Sequence, residues 1–163
     1  KQAWVSGDEA NKGGFVYFPG DSKAGEMKLP DGRTALRSYG SISYAGMLSY
    51  IYAEMDPNDA RVKAVRTWLE TNYTLEENPG MGPQGLFYYF YTMSKALSLA
   101  GIQELTMADG TKVDWAKDLT LKMLDAQNSN GSFLNENSRW WESDPVLVTA
   151  YAVLTLQNLY RSL

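Results

Sequence analysis

Apolar positions recur at helical spacing in five stretches of the chain, which differ in how much of their circumference is apolar. Between Tyr39 and Met55, Ile42, Ala45, Leu48 and Ile51 share one face and charge is scarce, predicting a helix over 40–54. A second, over 85–100, opens on five consecutive aromatics, Phe87, Tyr88, Tyr89, Phe90 and Tyr91. The third runs from Asp144 to Tyr160 and from Leu147 reads Leu-Val-Thr-Ala-Tyr-Ala-Val-Leu-Thr-Leu, the pattern of a helix buried on all sides. Asp144 suits its N-cap and Pro145 its first turn. The remaining two, over 58–73 and 114–127, are amphipathic. In the former, Val62, Val65, Trp68 and Leu69 share a face that Arg61, Lys63, Arg66 and Glu70 avoid. The first three are therefore expected inside and the other two outside, each wet along one side.

The segments between the helices carry turn chemistry. Residues 1–12 read as the end of a helix, and 21–37 as a long loop with a small hairpin around Pro30-Asp31-Gly32. Asp109-Gly110 between β-capable flanks predicts a two-stranded hairpin over 105–113. Gln127, Gly131 and Phe133 close the helix before them with an amide, a left-handed glycine and an aromatic that folds back. The Gln127 side chain is expected to reach the backbone of a neighbouring helix terminus, where such groups lack partners. Gly13, Gly14 and Phe15 look like an earlier copy of this turn, with Glu9 where Gln would stand. A hydroxyl followed by leucine at one offset recurs at Ser43 and Leu48, Thr92 and Leu97, and Thr149 and Leu154, as in an array of helical hairpins with unequal loops.

The Gln-x3-Gly-x-aromatic spacing of Gln127, Gly131 and Phe133 resembles the QW motif of squalene-hopene cyclases, with Phe in place of Trp. Thr149-Ala150-Tyr151-Ala152-Val153-Leu154 is similar to an inner-helix Thr-Ala-Trp-Ala-Leu-Leu of the same proteins. The resemblance extends to protein prenyltransferase β subunits and to uncharacterised bacterial members of the squalene cyclase and prenyltransferase repeat superfamily. It implies an all-α fold, a partial α/α toroid of alternating inner and outer helices with short β-hairpin insertions, holding about two and a half hairpin repeats. A full ring takes about twelve helices, so the chain is expected to be the C-terminal part of a larger protein. The ends of such an array are expected to associate, with a second copy or with the missing half of the precursor, because an uncapped end exposes apolar surface.

The resemblance does not extend to the chemistry. Squalene-hopene cyclases protonate their substrate with an Asp-x-Asp-Asp run, which is absent. Asp56-Pro57-Asn58-Asp59 reads instead as a helix stop and N-cap. Prenyltransferases hold zinc with Asp, Cys and His, and this chain has neither Cys nor His. Val148 stands where those β subunits have His. No metal and no cofactor are therefore expected. An excess of 19 acidic over 15 basic residues, with no basic run, argues against nucleic acid. No apolar run reaches the roughly 20 residues that span a bilayer. The start at Lys1 and the lack of Cys favour an exported protein, periplasmic or extracellular.

Aromatics at inner helix ends are the candidate cavity or rim residues: Tyr39, Tyr44, Tyr88, Tyr91 and Tyr151, most of the aromatic run being expected in core packing. A polar cluster joins them at the entrance to the last helix, where Trp140 and Trp141 could stack on a sugar and Glu142 and Asp144 could act as paired carboxylates. The structural reading of the same cluster makes Asp144 a cap and places Glu142 at the positive end of the helix that follows it. The expected role is binding or scaffolding through the cavity or rim, with a hydrophobic or carbohydrate ligand. The alternative is part of a terpenoid cyclase-like or carbohydrate-active enzyme whose remaining catalytic residues lie elsewhere.

Overall fold

The computed structural model describes residues 1–5 and 7–162. In chain order the elements are β1 (Glu26–Lys28), β2 (Thr34–Leu36), α1 (Gly40–Tyr52), α2 (Ala60–Thr71), α3 (Leu86–Leu99), β3 (Glu104–Thr106), β4 (Lys112–Asp114), α4 (Trp115–Ala126), a single 3-10 turn (Arg139–Trp141) and α5 (Pro145–Tyr160). The strands form two separate antiparallel hairpins, Met27 opposite Ala35 in one and Leu105 opposite Val113 in the other. Both expected hairpins are present. Among the described residues, no helix is long and apolar enough to cross a membrane.

The core is built around α3. Its aromatic start gives it more buried bulk than its neighbours, with Phe87, Tyr89, Phe90 and Met93 all inaccessible. One side of α3 packs on α1, where the Tyr44 and Tyr89 rings lie 5.8 Å apart, and the other packs on α5. The result is a row of three helices. Against it lie α2, packed on α1 through Val65, Trp68 and Leu69, and α4, packed on α5 with Trp115, Leu119 and Met123 inward. The two buried indoles each donate to a loop carbonyl, Trp68 to Ala10 at 2.9 Å and Trp115 to Ile102 at 2.7 Å, which satisfies their N–H groups and ties two irregular segments to the helices.

This architecture corrects the expectation of a partial α/α toroid. The described residues form a mixed domain of five helices and two small antiparallel hairpins, not a ring segment of two and a half hairpin repeats. The toroid description therefore does not hold, and nothing in the architecture supports the prenyltransferase-repeat one. Apolar periodicity marks each helix separately, but it carries no information on how helices are ordered around an axis. Three of the four segments that join them, 72–85, 100–114 and 127–144, are as long as the helices, whereas 53–59 is short, so the joins follow no common plan. The supposed repeat also breaks in its third copy, for Leu48 and Leu97 are buried whereas Leu154 is exposed.

Two further expectations fail. Residues 1–12 form turns and an isolated bridge between Gln2 and Phe15, with no helix among those described. The last helix is not buried all round: Val146 and Tyr160 are nearly 80% exposed, and Val153 is more exposed than buried. An apolar circumference shows only that α5 has no polar side, and burial depends on whether a neighbour covers it.

Candidate functional site

The N-terminal ends of α1 and α3 come together beside the 3-10 turn, and between them lies a cleft of about 380 Å³. Tyr39, Ser41 and Ile42 contribute from the start of α1, Gly85 and Tyr88 from the start of α3, and Tyr151 from the second turn of α5. Trp140, Trp141 and Glu142 close one side, while Tyr17, Lys23, Asn78 and Met81 arrive from loops.

The helix starts would be strong anion sites if their N–H groups were free, but both are capped from a distance. Neither α1 nor α3 has a capping side chain of its own. Asn78 serves α1, accepting from the Ser41 amide at 2.9 Å and donating to the Ser41 hydroxyl and the Gln84 carbonyl. Glu142 serves α3 and is wholly buried. Its carboxylate accepts from the amides of Tyr88 at 2.8 Å and Phe87 at 3.3 Å, and from the Asn135 side chain at 2.7 Å. The sequence reading placed Glu142 at the start of α5, its neighbour along the chain. Instead it caps a helix 54 residues away, while Asp144 alone caps α5 through the Val146 amide at 2.9 Å. Glu142 is thus closed off from solvent, whereas Asp144 is exposed and uses one oxygen as the cap.

Capping α3 forces the chain into a tight path just before Glu142. Trp140 and Trp141 both have left-handed backbones, at φ 61° and 65°. Each such residue costs about 1–2 kcal/mol when it carries a Cβ, and two bulky ones in succession are unusual. The turn is held by main-chain bonds from Trp141 to Ser138, Asn135 to Glu142 and Asp144 to Trp141, and the Arg139 guanidinium lies 4.8 Å from the Trp140 ring. The indoles are thereby presented outward, Trp141 being 80% exposed.

Facing them are phenols with unused hydroxyls. Tyr39, Tyr88 and Tyr151 line the cleft, and among the described residues none of their hydroxyls bonds to the protein. Burial, with the neighbouring Tyr88 and Tyr17 phenols and the Asp21 carboxylate adding to it, raises Tyr39 to about 12. Burial and then Tyr91 raise Tyr88, while burial, Tyr88, Glu142 and Tyr91 raise Tyr151. All three keep their protons at neutral pH and can donate. Lys23 is already engaged, bonded to Asp21 at 2.7 Å and lying 5.0 Å from the Tyr17 ring.

Of the residues singled out from sequence, the structure thus brings Tyr39, Tyr88, Trp140, Trp141, Glu142 and Tyr151 to one cleft. Tyr91 lies outside the cleft lining, one turn further along α3, its ring stacked on Tyr151 at 6.1 Å. Tyr44 does not belong to the site: it is in the core, where burial drives its phenol well above the usual range and its hydroxyl has no partner among the described residues. Asp144 is an exposed cap. Asn78, Met81 and Lys23 escaped the sequence reading because they sit in aperiodic loops. Proline and glycine stand around Asn78, but they do not show which helix its side chain serves.

The two glycine–aromatic turns dock alike. Phe133 donates its amide to the Thr149 hydroxyl at 3.0 Å, and Phe15 donates to the Ser43 hydroxyl at 2.9 Å. The Gln127 amide does not reach a neighbouring helix: it donates to Gly131 within its own exposed turn, at 3.1 Å. Among the described residues no group of three or more His, Cys, Asp or Glu could hold a metal ion. Comparison with family models, curated proteins and solved structures finds no match for this chain, so the likeness to cyclases rests on the motif residues alone.

Proposed function

We propose that this protein is a glycan-binding module whose cleft holds a sugar ring against Trp140 and Trp141. The observation that carries the reading is the strained tryptophan pair, which keeps a nearly free indole at the mouth of an aromatic cleft. Backbone strain of that size persists where the surroundings over-determine it, and such positions cluster at binding sites. A sugar ring has an apolar face for the indoles and hydroxyls at its edge for the unpaired phenols of Tyr39, Tyr88 and Tyr151. A purely apolar ligand would leave those hydroxyls without partners, which disfavours it. Glycoside hydrolysis commonly uses two carboxylates flanking the bond, and Glu142 is wholly buried with both oxygens engaged, so binding is favoured over chemistry.

Titration with a panel of neutral and acidic oligosaccharides, followed by tryptophan fluorescence and calorimetry, tests the proposal. Saturable binding is expected with at least one of them. Trp141→Ala should weaken it by about 10-fold or more, the scale of one lost aromatic contact, while leaving the thermal midpoint unchanged. No binding across the panel, or full affinity in the variant, would overturn the reading.

A further inference from the structure

The cleft does not end at Tyr88. Tyr88, Tyr91 and Lys95 lie on one face of α3 at three- and four-residue spacing, so the strip they form runs about 10 Å along the helix at 1.5 Å per residue. Tyr151 flanks it from α5, with ring centroids 5.6 Å from Tyr88 and 6.1 Å from Tyr91, its plane within 19° of the Tyr91 plane. Tyr52, 64% exposed, flanks it from the end of α1. The aromatic surface that begins at the tryptophans therefore continues over all three helices of the row.

Lys95 sits at the far end of this strip. Its ammonium donates to the Tyr91 hydroxyl at 3.3 Å and lies 5.6 Å from the Tyr91 ring and 5.8 Å from the Tyr52 ring. Among the described residues it makes no ion pair, in contrast to Lys23 in the cleft, which is bonded to Asp21. Ring faces orient an ammonium without neutralising it, so the positive charge stays available to a ligand. An ammonium held in place beside a stacking surface fits a sugar whose ring carries a carboxylate.

We propose that the cleft opens into a strip along α3 that binds the further residues of an acidic oligosaccharide, with a sugar carboxylate on Lys95. The inference rests on the glycan reading of the cleft and adds the charge and length of the ligand. Calorimetry on the full chain with two probes, a hexamer of galacturonate and a hexamer of neutral β-linked glucose, tests it. The acidic hexamer should bind about 10-fold more tightly at low salt, as one charge-assisted contact predicts, and lose that advantage as salt screens it. Lys95→Met, which keeps the apolar stem, should abolish the preference for the acidic hexamer over the neutral one. Lys95→Arg should restore the difference, which shows that a loss in the methionine variant is not misfolding. Equal affinity for the two hexamers, or an undiminished preference in Lys95→Met, overturns the inference while the glycan reading stands. Absence of binding by either hexamer overturns the inference, and if the wider panel also fails the glycan reading falls with it.

Discussion

The turn at 13–15 and the turn at 131–133 make the same contact in different surroundings. Both place a buried phenylalanine beneath a glycine turn, and both hang its amide on a helix hydroxyl, Ser43 on α1 or Thr149 on α5. The first is enclosed. The Gln2 side chain binds Gly13 and Arg61 carbonyls, and a Cβ on Gly13 would stand 2.4 Å from the Ala64 carbonyl oxygen. The second is open: a Cβ on Gly131 would meet nothing closer than the Gln127 amide at 3.9 Å. One device thus locks the N-terminal segment into the core, while its copy anchors one end of a loop whose remainder carries Trp140, Trp141 and Glu142. The candidate site lies beyond the copy, where the capping of α3 by the buried Glu142 sets the path of the chain.

Substitution at the two glycines gives the largest contrast. Gly13→Ala combines a positive φ of 90° with a backbone clash and should cost about 4 kcal/mol, whereas Gly131→Ala carries only the left-handed penalty of about 1 kcal/mol. Urea unfolding of both variants measures this, and equal losses would show that the two turns are equally enclosed. A smaller difference is expected at the acceptors. Ser43 is fully buried and Thr149 is not, so Ser43→Ala should cost about 2 kcal/mol and Thr149→Val about 1 kcal/mol by the same assay. The smallest effect belongs to Gln127→Leu. Because its bond is local and exposed, the expected change is within about 0.5 kcal/mol, and a loss above about 1 kcal/mol would reinstate the long-range staple that the motif suggested.

Helices were legible because each carries its own periodicity. The third long apolar stretch was expected over 145–160 and α5 spans Pro145–Tyr160, and the first was expected over 40–54 against Gly40–Tyr52. Asp109-Gly110 marked its hairpin through turn chemistry alone. The candidate site was legible in kind but not in arrangement. Aromatics at helix starts and a Trp-Trp-Glu cluster stand out in the sequence, yet the strain at Trp140 and Trp141 does not, because it is imposed by where Glu142 must go.

What the sequence determined by itself is the set of local structures: which stretches coil, where they stop, and which of them end in a glycine turn backed by phenylalanine. Those outcomes depend on residues a few positions apart, whose spacing is written in the chain. Tertiary structure alone decided that Asn78 and Glu142 cap helices other than the ones they precede, that α5 keeps an uncovered face, and that five helices with two hairpins do not curve into a ring. A helix N-terminus needs acceptors and an apolar face needs cover, but neither requirement names its partner. That choice depends on which distant segments pack together, and periodicity and turn chemistry within each segment do not encode it.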